Sequence, residues 1–544
     1  MGGDTFDAVV VGGGHNALTL AAYLTGAGLN IAVVERNAVM GGGCNTEEVT
    51  LPGFKHSLHS NYHFLAEGPI LADLELHKYG LSYVYPEVQH AIAFSDGTAV
   101  CIHQDPEKTA ASFARFSRAD ADRYRILYER FGSDTMRQLI NSIIYSDPLS
   151  PHELQHKVTG PVADELFSYA PLTLHQAVDR NFEHEKIRCV FKCFLHAIAV
   201  ENTPGTGVFF PRLFSRIIRL GVPVGGAVSV ARALERVVSE KGGTLVRGSH
   251  VERILVEGGR AAGVQINDGR VLRARRFVAS GVDAPQTVRL AGTANFSSSI
   301  VEQIERYDWA HHSLVSLHLA LNERPRYAAE DFDPDVANAF SVVIGADSGS
   351  QIDHVFNDVA RGHLPARLAG NGACPSLFDP SVVPDGKHLA FWWPWAPFAL
   401  DGDAANWDRR REEISDIMLQ QWGEYAPNLT GANVLDQYLF TPLDISRKCI
   451  NMVNGSHHVG AYTAEQLGAN RPIPALGHYR TPIEGLYLCG SSSHTGGSVS
   501  ASPGYNAANA IASDLGIKPW WTPVARPELH HDVPAGEVSA SYTS

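Results

Sequence analysis

Two clusters of residues near opposite ends of the chain have the types and spacing for chemistry. The first is Gly12-Gly13-Gly14-His15-Asn16-Ala17, followed by Glu35-Arg36. A G-x-G-x-x-A run allows a tight turn at Gly12 and lets the backbone at Gly14 approach a pyrophosphate at a helix N-terminus. A carboxylate about twenty residues on can accept hydrogen bonds from ribose hydroxyls. The second cluster is Gly490-Ser491-Ser492-Ser493-His494-Thr495-Gly496-Gly497-Ser498, small residues around one imidazole, suited to face an anionic or electron-rich group. Groups able to move a proton are His494, His59, His63, Tyr62 and Asp444. With 25 histidines in the chain, each also has a purely structural reading.

Each cluster needs a strand ahead of it and a helix behind it. Residues 6–11 are an apolar run into the first glycines, a helix-compatible segment follows, and a second apolar strand ends at Glu35. Residues 485–489 form a short apolar strand into the second cluster, and 503–515 read as a helix opened by Pro503. A third stretch, 223–280, gives a helix over 227–241 stopped by Gly242-Gly243. Short strands follow at 244–246, 251–256 and 261–266, and 277–280 is a buried strand returning to the nucleotide sheet. Elsewhere, Asp96-Gly97 marks a hairpin over 92–102, residues 105–219 are mostly helical, and 298–479 are mixed. The aromatic runs 391–395 and Phe209-Phe210-Pro211 could line an apolar channel or fill a core.

The 544 residues suit one large interleaved unit or two to three domains. A hydrophobic share of 44% with 19% charge describes a soluble globular protein, and the net charge of −14 excludes nucleic acid as a partner. Seven scattered cysteines form neither a disulfide framework nor a CxxC pair, and no metal site is expected. The chain enters its first strand without signal-peptide features and has no apolar stretch long enough to span a bilayer. The expected compartment is the cytosol, with peripheral membrane contact and homo-oligomerisation left open. Residues from about 523 read as a polar tail.

In this order the three cofactor-type pieces resemble the phytoene desaturase and amine oxidase superfamily of FAD flavoproteins. The nearest branch is that of bacterial carotenoid desaturases and ketolases and of pyridine nucleotide-disulphide oxidoreductase domain-containing proteins. Branch-typical runs are Glu35-Arg36 leading to Gly41-Gly42-Gly43, Thr441-Pro442-Leu443-Asp444, Arg471-Pro472 and Tyr479-Arg480-Thr481-Pro482. The resemblance implies an α/β fold: a Rossmann-type FAD-binding domain assembled from three chain segments, with an interleaved α+β substrate domain. The expected FAD-binding parts are 1–100, 220–297 and 480–520; the substrate domain takes 101–219 and 298–479, and 521–544 is the tail.

Carried over by motif, Gly12, Gly14 and Ala17 pack on the pyrophosphate, with His15, Asn16 and Arg36 in the same runs, and Glu35 binds the adenosine ribose. Gly42 and Gly43 lie along the cofactor, Ser60 and Asn61 approach the flavin, and Val251 meets the adenine through its main chain. Gly490, Ser491, Gly497 and Ser498 surround the ribityl chain and isoalloxazine. Two departures stand out. His494-Thr495-Gly496-Gly497-Ser498 replaces the family's His-Pro-Gly-Gly-Gly. Cys44 replaces an arginine or small residue, and reads as a small buried thiol or a covalent flavin attachment point.

The implied activity is dehydrogenation of an apolar small molecule, with oxygen or a quinone reoxidising the flavin. A redox-neutral isomerase or hydratase and a non-catalytic flavin-binding protein are the alternatives.

Overall fold

The computed structural model describes residues 4–215 and 219–527. Two sheets organise them. The first contains β1 (Thr5–Val11), β2 (Ile31–Val34), β3 (Thr244–Val246), β4 (Val251–Glu257), β5 (Arg260–Ile266), β6 (Val271–Ser280) and β7 (Leu486–Leu488). Its order is β4-β5-β6-β1-β2-β3, with β7 also on β6. Strands β1, β2, β3 and β7 run parallel to their neighbours, with Val9 opposite Val278, Val10 opposite Val33 and Ala279 opposite Tyr487. Strands β4, β5 and the start of β6 form an antiparallel meander.

Parallel strands covered on both faces read as unbroken apolar runs, which is why 8–11 and 31–34 are Ala-Val-Val-Val and Ile-Ala-Val-Val. On one face lie α1 (His15–Gly26), α2 (Val228–Glu240) and α3 (Ser502–Asp514). Helix α1 packs between α2 and α3 and is buried from His15 to Thr25. Small residues permit this: Ala17, Ala21 and Ala22 on α1, and Ala507 and Ala508 on α3, are at most 1% exposed. A side chain at Gly504 would collide with the Asn16 carbonyl, so the start of α3 is pressed onto the start of α1.

The second sheet has the strand order 434–440, 316–321, 388–396, 370–373, 339–344, 88–93, 99–103. All its neighbours are antiparallel except 88–93 with 339–344. The hairpin 88–103 therefore belongs to this sheet. A boundary at 100 would cut it and leave its first strand with the nucleotide domain, away from the strand it pairs with. The helical pattern of 105–145 divides into Pro106–Ala114, Arg118–Phe131 and Asp134–Ile144, because Asp105, Ser117 and Ser133 each cap a new helix with a side-chain oxygen. These helices, with Glu185–Ala197 and Phe209–Leu213, build a core against one face of the second sheet.

Residues 521–527 also pack on the body. Trp521 is 6% exposed and donates to Asn509 Oδ1 at 2.7 Å, and Arg526 pairs with Asp147. The tail so assigned thus begins too early, because Trp521 packs edge-on against Tyr23 of α1, next to Trp520, which stacks on the same ring. Residues 528–544 lie outside the described residues. Among those described, no helix is long and apolar enough to cross a membrane.

Candidate functional site

The β1–α1 turn is held by its own backbone. Gly12 (φ +88°) donates to the Val34 carbonyl at 2.8 Å, and Gly13 donates to Glu35 Oε2 at 2.8 Å. Glu35 Oε1 accepts from the Asn37 amide at 2.9 Å, so the carboxylate is fixed at the end of β2. A Cβ on Gly13 would stand 3.0 Å from both Glu35 Cβ and Met40 Cγ, which makes the middle glycine the most tightly packed of the three. A Cβ on Gly14 would meet nothing within 4 Å. Gly14 caps α1 without a side-chain hydrogen bond, and the first turn holds no acid. Its amides and the positive end of the helix dipole are left for an anion.

The second segment closes on the end of β2. The Glu35 amide donates to the Val246 carbonyl at 2.8 Å, and its carbonyl accepts from Ser249 at 2.9 Å. That brings the 246–250 loop, and Val251 at the head of β4, beside Glu35. Arg36 reaches away, donating to the carbonyls of Arg447 and Lys448 at 3.2 and 3.0 Å. On the third segment, a Cβ on Gly490 would lie 2.5 Å from the Gly281 carbonyl. Gly490 thus seats the loop on the end of β6.

These pieces enclose an inner pocket. From the sequence reading it gathers Gly14, His15, Asn16, Ala17, Gly42, Gly43, His59, Ser60, Asn61, Tyr62, Ser491, Gly497 and Ser498. Several buried polar atoms of this wall have no partner in the protein: His15 Nε2, Asn16 Oδ1, His59 Nδ1 and His458 Nδ1. Buried polar groups are normally satisfied. Unpartnered atoms beside an open helix N-terminus fit a long polar group with phosphates, as FAD is. Burial holds the histidines neutral: His15 falls to about 4, and His59 and His458 to about 3, with Lys448 adding to the effect at His59 and His312 and Arg471 at His458. Burial pushes the Tyr62 phenol up to about 12.

An apolar cavity of about 420 Å³ adjoins this pocket. Tyr62, Phe64, Ala197, Ile198, Gly497 and Ser498 line both. Its wall is largely Ile140, Ile143, Ile144, Leu149, Leu154, Phe167, Phe194, Phe209 and Leu213. His494 stands here rather than in the inner pocket. Its Nε2 lies 2.8 Å from the Ile143 carbonyl and must carry the hydrogen, since a carbonyl only accepts. Burial brings His494 down to about 4, so at neutral pH Nδ1 is a bare acceptor.

Other candidates are placed elsewhere. His63 lines neither space; Ser60 Oγ and Tyr83 Oη occupy its ring nitrogens at 3.3 and 3.2 Å. Asp444 closes a capping box with Thr441 at the start of the helix Pro442–Lys448 and pairs with Arg411 at 2.8 Å, a structural assignment. The Cys44 thiol is fully buried, lines neither space, and is pushed up to about 12 by burial, which fits the small-thiol reading. Of the aromatic runs, Trp393 lines the inner pocket and Phe209 the cavity, while Phe210 and Trp392 are core.

The sequence reading did not assign Gly13, Gly281, Asn371, His457 or His458 to the site they shape, and it met the buried Arg471 only within a branch-typical run. Arg471 donates to the carbonyls of Ala461 and Val459 at 2.9 Å and of Ser491 at 3.3 Å, tying the 459–461 loop to the third segment. The run Asn454-Gly455-Ser456-His457-His458-Val459-Gly460, polar groups between glycines, was the available signal.

Residues 10–74 match a family model described as an NAD(P)-binding Rossmann-like domain. The limonene dehydrogenase of Castellaniella defragrans includes a polypeptide 31% identical to this one, over 95% of this chain and 96% of that one. Carotenoid 3,4-desaturase of Haloarcula japonica is 24% identical over 94% and 98%. Among solved structures, a triple variant of putrescine oxidase has the same fold, with a TM-score of 0.60 at 14% identity over 94% and 98% of the two chains.

Proposed function

Because this chain belongs to the phytoene desaturase and amine oxidase superfamily of FAD flavoproteins and is an FAD-dependent oxidoreductase, we propose that it dehydrogenates an apolar small molecule of terpene size. The observation that carries this reading is the apolar cavity sharing a wall with the inner pocket. A cavity of about 420 Å³ lies in the size range of small-molecule pockets. The names of limonene dehydrogenase and carotenoid desaturase among its relatives support an apolar substrate. A charged amine is disfavoured: Asp147 is the one acidic side chain among the described lining residues, and it is held by His478 and Arg526.

Bound FAD supplies a hydride acceptor. Around it, the Gly12–Ala17 turn and the N-terminus of α1 hold the pyrophosphate, Glu35 the ribose, and Ser491, Gly497 and Ser498 the ring side. The cavity orients the substrate by shape and keeps water from it, and Tyr62 and Ile198 stand at the junction of the two spaces. His494 Nδ1 is the group placed to take a proton as the substrate loses hydrogen. Oxygen or a quinone is the acceptor in this reading.

The test is anaerobic mixing of holoenzyme with monoterpenes and related hydrocarbons. Loss of the oxidised-flavin absorption on substrate alone is expected. Turnover only after prior reduction of the flavin would overturn the dehydrogenase reading in favour of a redox-neutral one.

A further inference from the structure

One group in the apolar cavity is foreign to its lining. Arg212, on the helix Phe209–Leu213, lines the cavity with its guanidinium carbon 5.2 Å from the centre of the Phe209 ring. Its Nε is buried without a hydrogen-bond partner, and no carboxylate of the described residues pairs with it. Arg471 shares a buried, unpartnered Nε, but its Nη1 and Nη2 both donate to main-chain carbonyls, and Asp147 is held by His478 and Arg526. Burial pushes Arg212 down to about 10, which still leaves it charged at neutral pH. An ionised guanidinium largely withdrawn from water, with no counter-charge among the described residues, is costly, and such groups are normally paired.

We propose that Arg212 is a carboxylate-binding subsite, and that the substrate is an apolar body of terpene size ending in a carboxylate. This deepens the dehydrogenase reading and rests on it for the word substrate, though not for the subsite itself. The planar fork of a guanidinium matches a carboxylate through two parallel hydrogen bonds, which suits a single anionic head better than a hydroxyl. The cation–π contact with Phe209 holds the guanidinium against the wall without consuming its donors. With the head at Arg212, the apolar body occupies the rest of the cavity and extends toward the wall shared with the inner pocket. Arg212 also acts on His494, where its charge favours the neutral imidazole. Seating an anion on Arg212 cancels that influence, so the base gains proton affinity when the substrate is in place.

The experiment is isothermal titration of the FAD-loaded enzyme with decanoate and 1-decanol, which share an apolar chain and differ in the head. Decanoate is expected to bind at least tenfold more tightly than decanol to the wild-type enzyme. In Arg212→Gln, decanoate should fall to the level of decanol while decanol stays within about twofold of wild type. Arg212→Lys keeps a cation but loses the fork, and should retain part of the preference; it carries the comparison if Arg212→Gln does not fold. Equal wild-type affinities, or a decanoate preference that survives in Arg212→Gln, would overturn the subsite. If decanoate binds through Arg212 while no apolar compound, with or without a carboxylate, reduces the flavin, the subsite stands and the dehydrogenase reading fails.

Discussion

Asn16 Nδ2 donates to Ser491 Oγ at 3.0 Å, joining residues 475 positions apart across the inner pocket. Asn16 belongs to the first turn of α1 and Ser491 to the loop after β7, so this bond closes the first chain segment on the last. A neutral buried hydrogen bond contributes about 1 kcal/mol. A double-mutant cycle of Asn16→Ala and Ser491→Ala is therefore expected to show a coupling of about 1 kcal/mol in denaturant unfolding, with weaker FAD retention in both single variants. Strictly additive effects would count against the coupling.

The paired glycines separate packing from cofactor binding. Gly13→Ala places a methyl 3.0 Å from Glu35 Cβ and Met40 Cγ, and should lower unfolding stability by about 1–3 kcal/mol. Gly14→Ala meets no protein atom within 4 Å and should fold as wild type, yet lose FAD because the methyl enters the space of the phosphates. Thermal unfolding of the apo forms, with flavin content measured alongside, reads both. A Gly14→Ala protein that purifies fully yellow would refute the placement.

Glu35→Ala strips ribose hydrogen bonds worth roughly 1.5–3 kcal/mol and should weaken FAD binding tenfold or more. It also leaves the amides of Gly13 and Asn37 without their acceptor, so part of the loss will appear as instability of the turn. Titration of apoprotein with FAD gives the first effect, and unfolding of the apoprotein gives the second.

The pH dependence of stability has a definite sign at His494. Its unfolded value is 6.5 and its folded value about 4, so between them the unfolded chain binds more protons. Stability is unaffected by this residue above pH 6.5 and falls as the pH drops from 6.5 toward 4, by an amount on the order of 3 kcal/mol. His494→Gln should flatten the curve of unfolding free energy against pH in that window. An unchanged slope would show that His494 does not titrate as a buried group.

The glycine turn after β1 was legible because its physics is local: strand, glycines, helix and terminal acid lie within one short run. The third segment was legible for the same reason. Arg212, His457 and His458 were not, because they reach the site through packing of the substrate domain, and no spacing in the chain announces it. Local patterns also misled. His63 stands beside residues of the pocket but faces Ser60 and Tyr83, and Asp444 serves a helix cap and an ion pair. The hairpin at 88–103 was recognisable as a hairpin, but its sheet was not, since the strand it joins begins at Ala339.

The interleaving of segments sets an order of events during synthesis. A nascent chain releases the phosphate-binding turn first, yet the edge of β1 that receives β6 stays bare until residue 280 has emerged. The face of α1 that receives α3 stays bare until residue 514. The pocket is therefore closed only after residue 514 has emerged. A chain cut before residue 488 lacks the strand β7 beside β6, and one cut before residue 502 lacks the helix that covers α1.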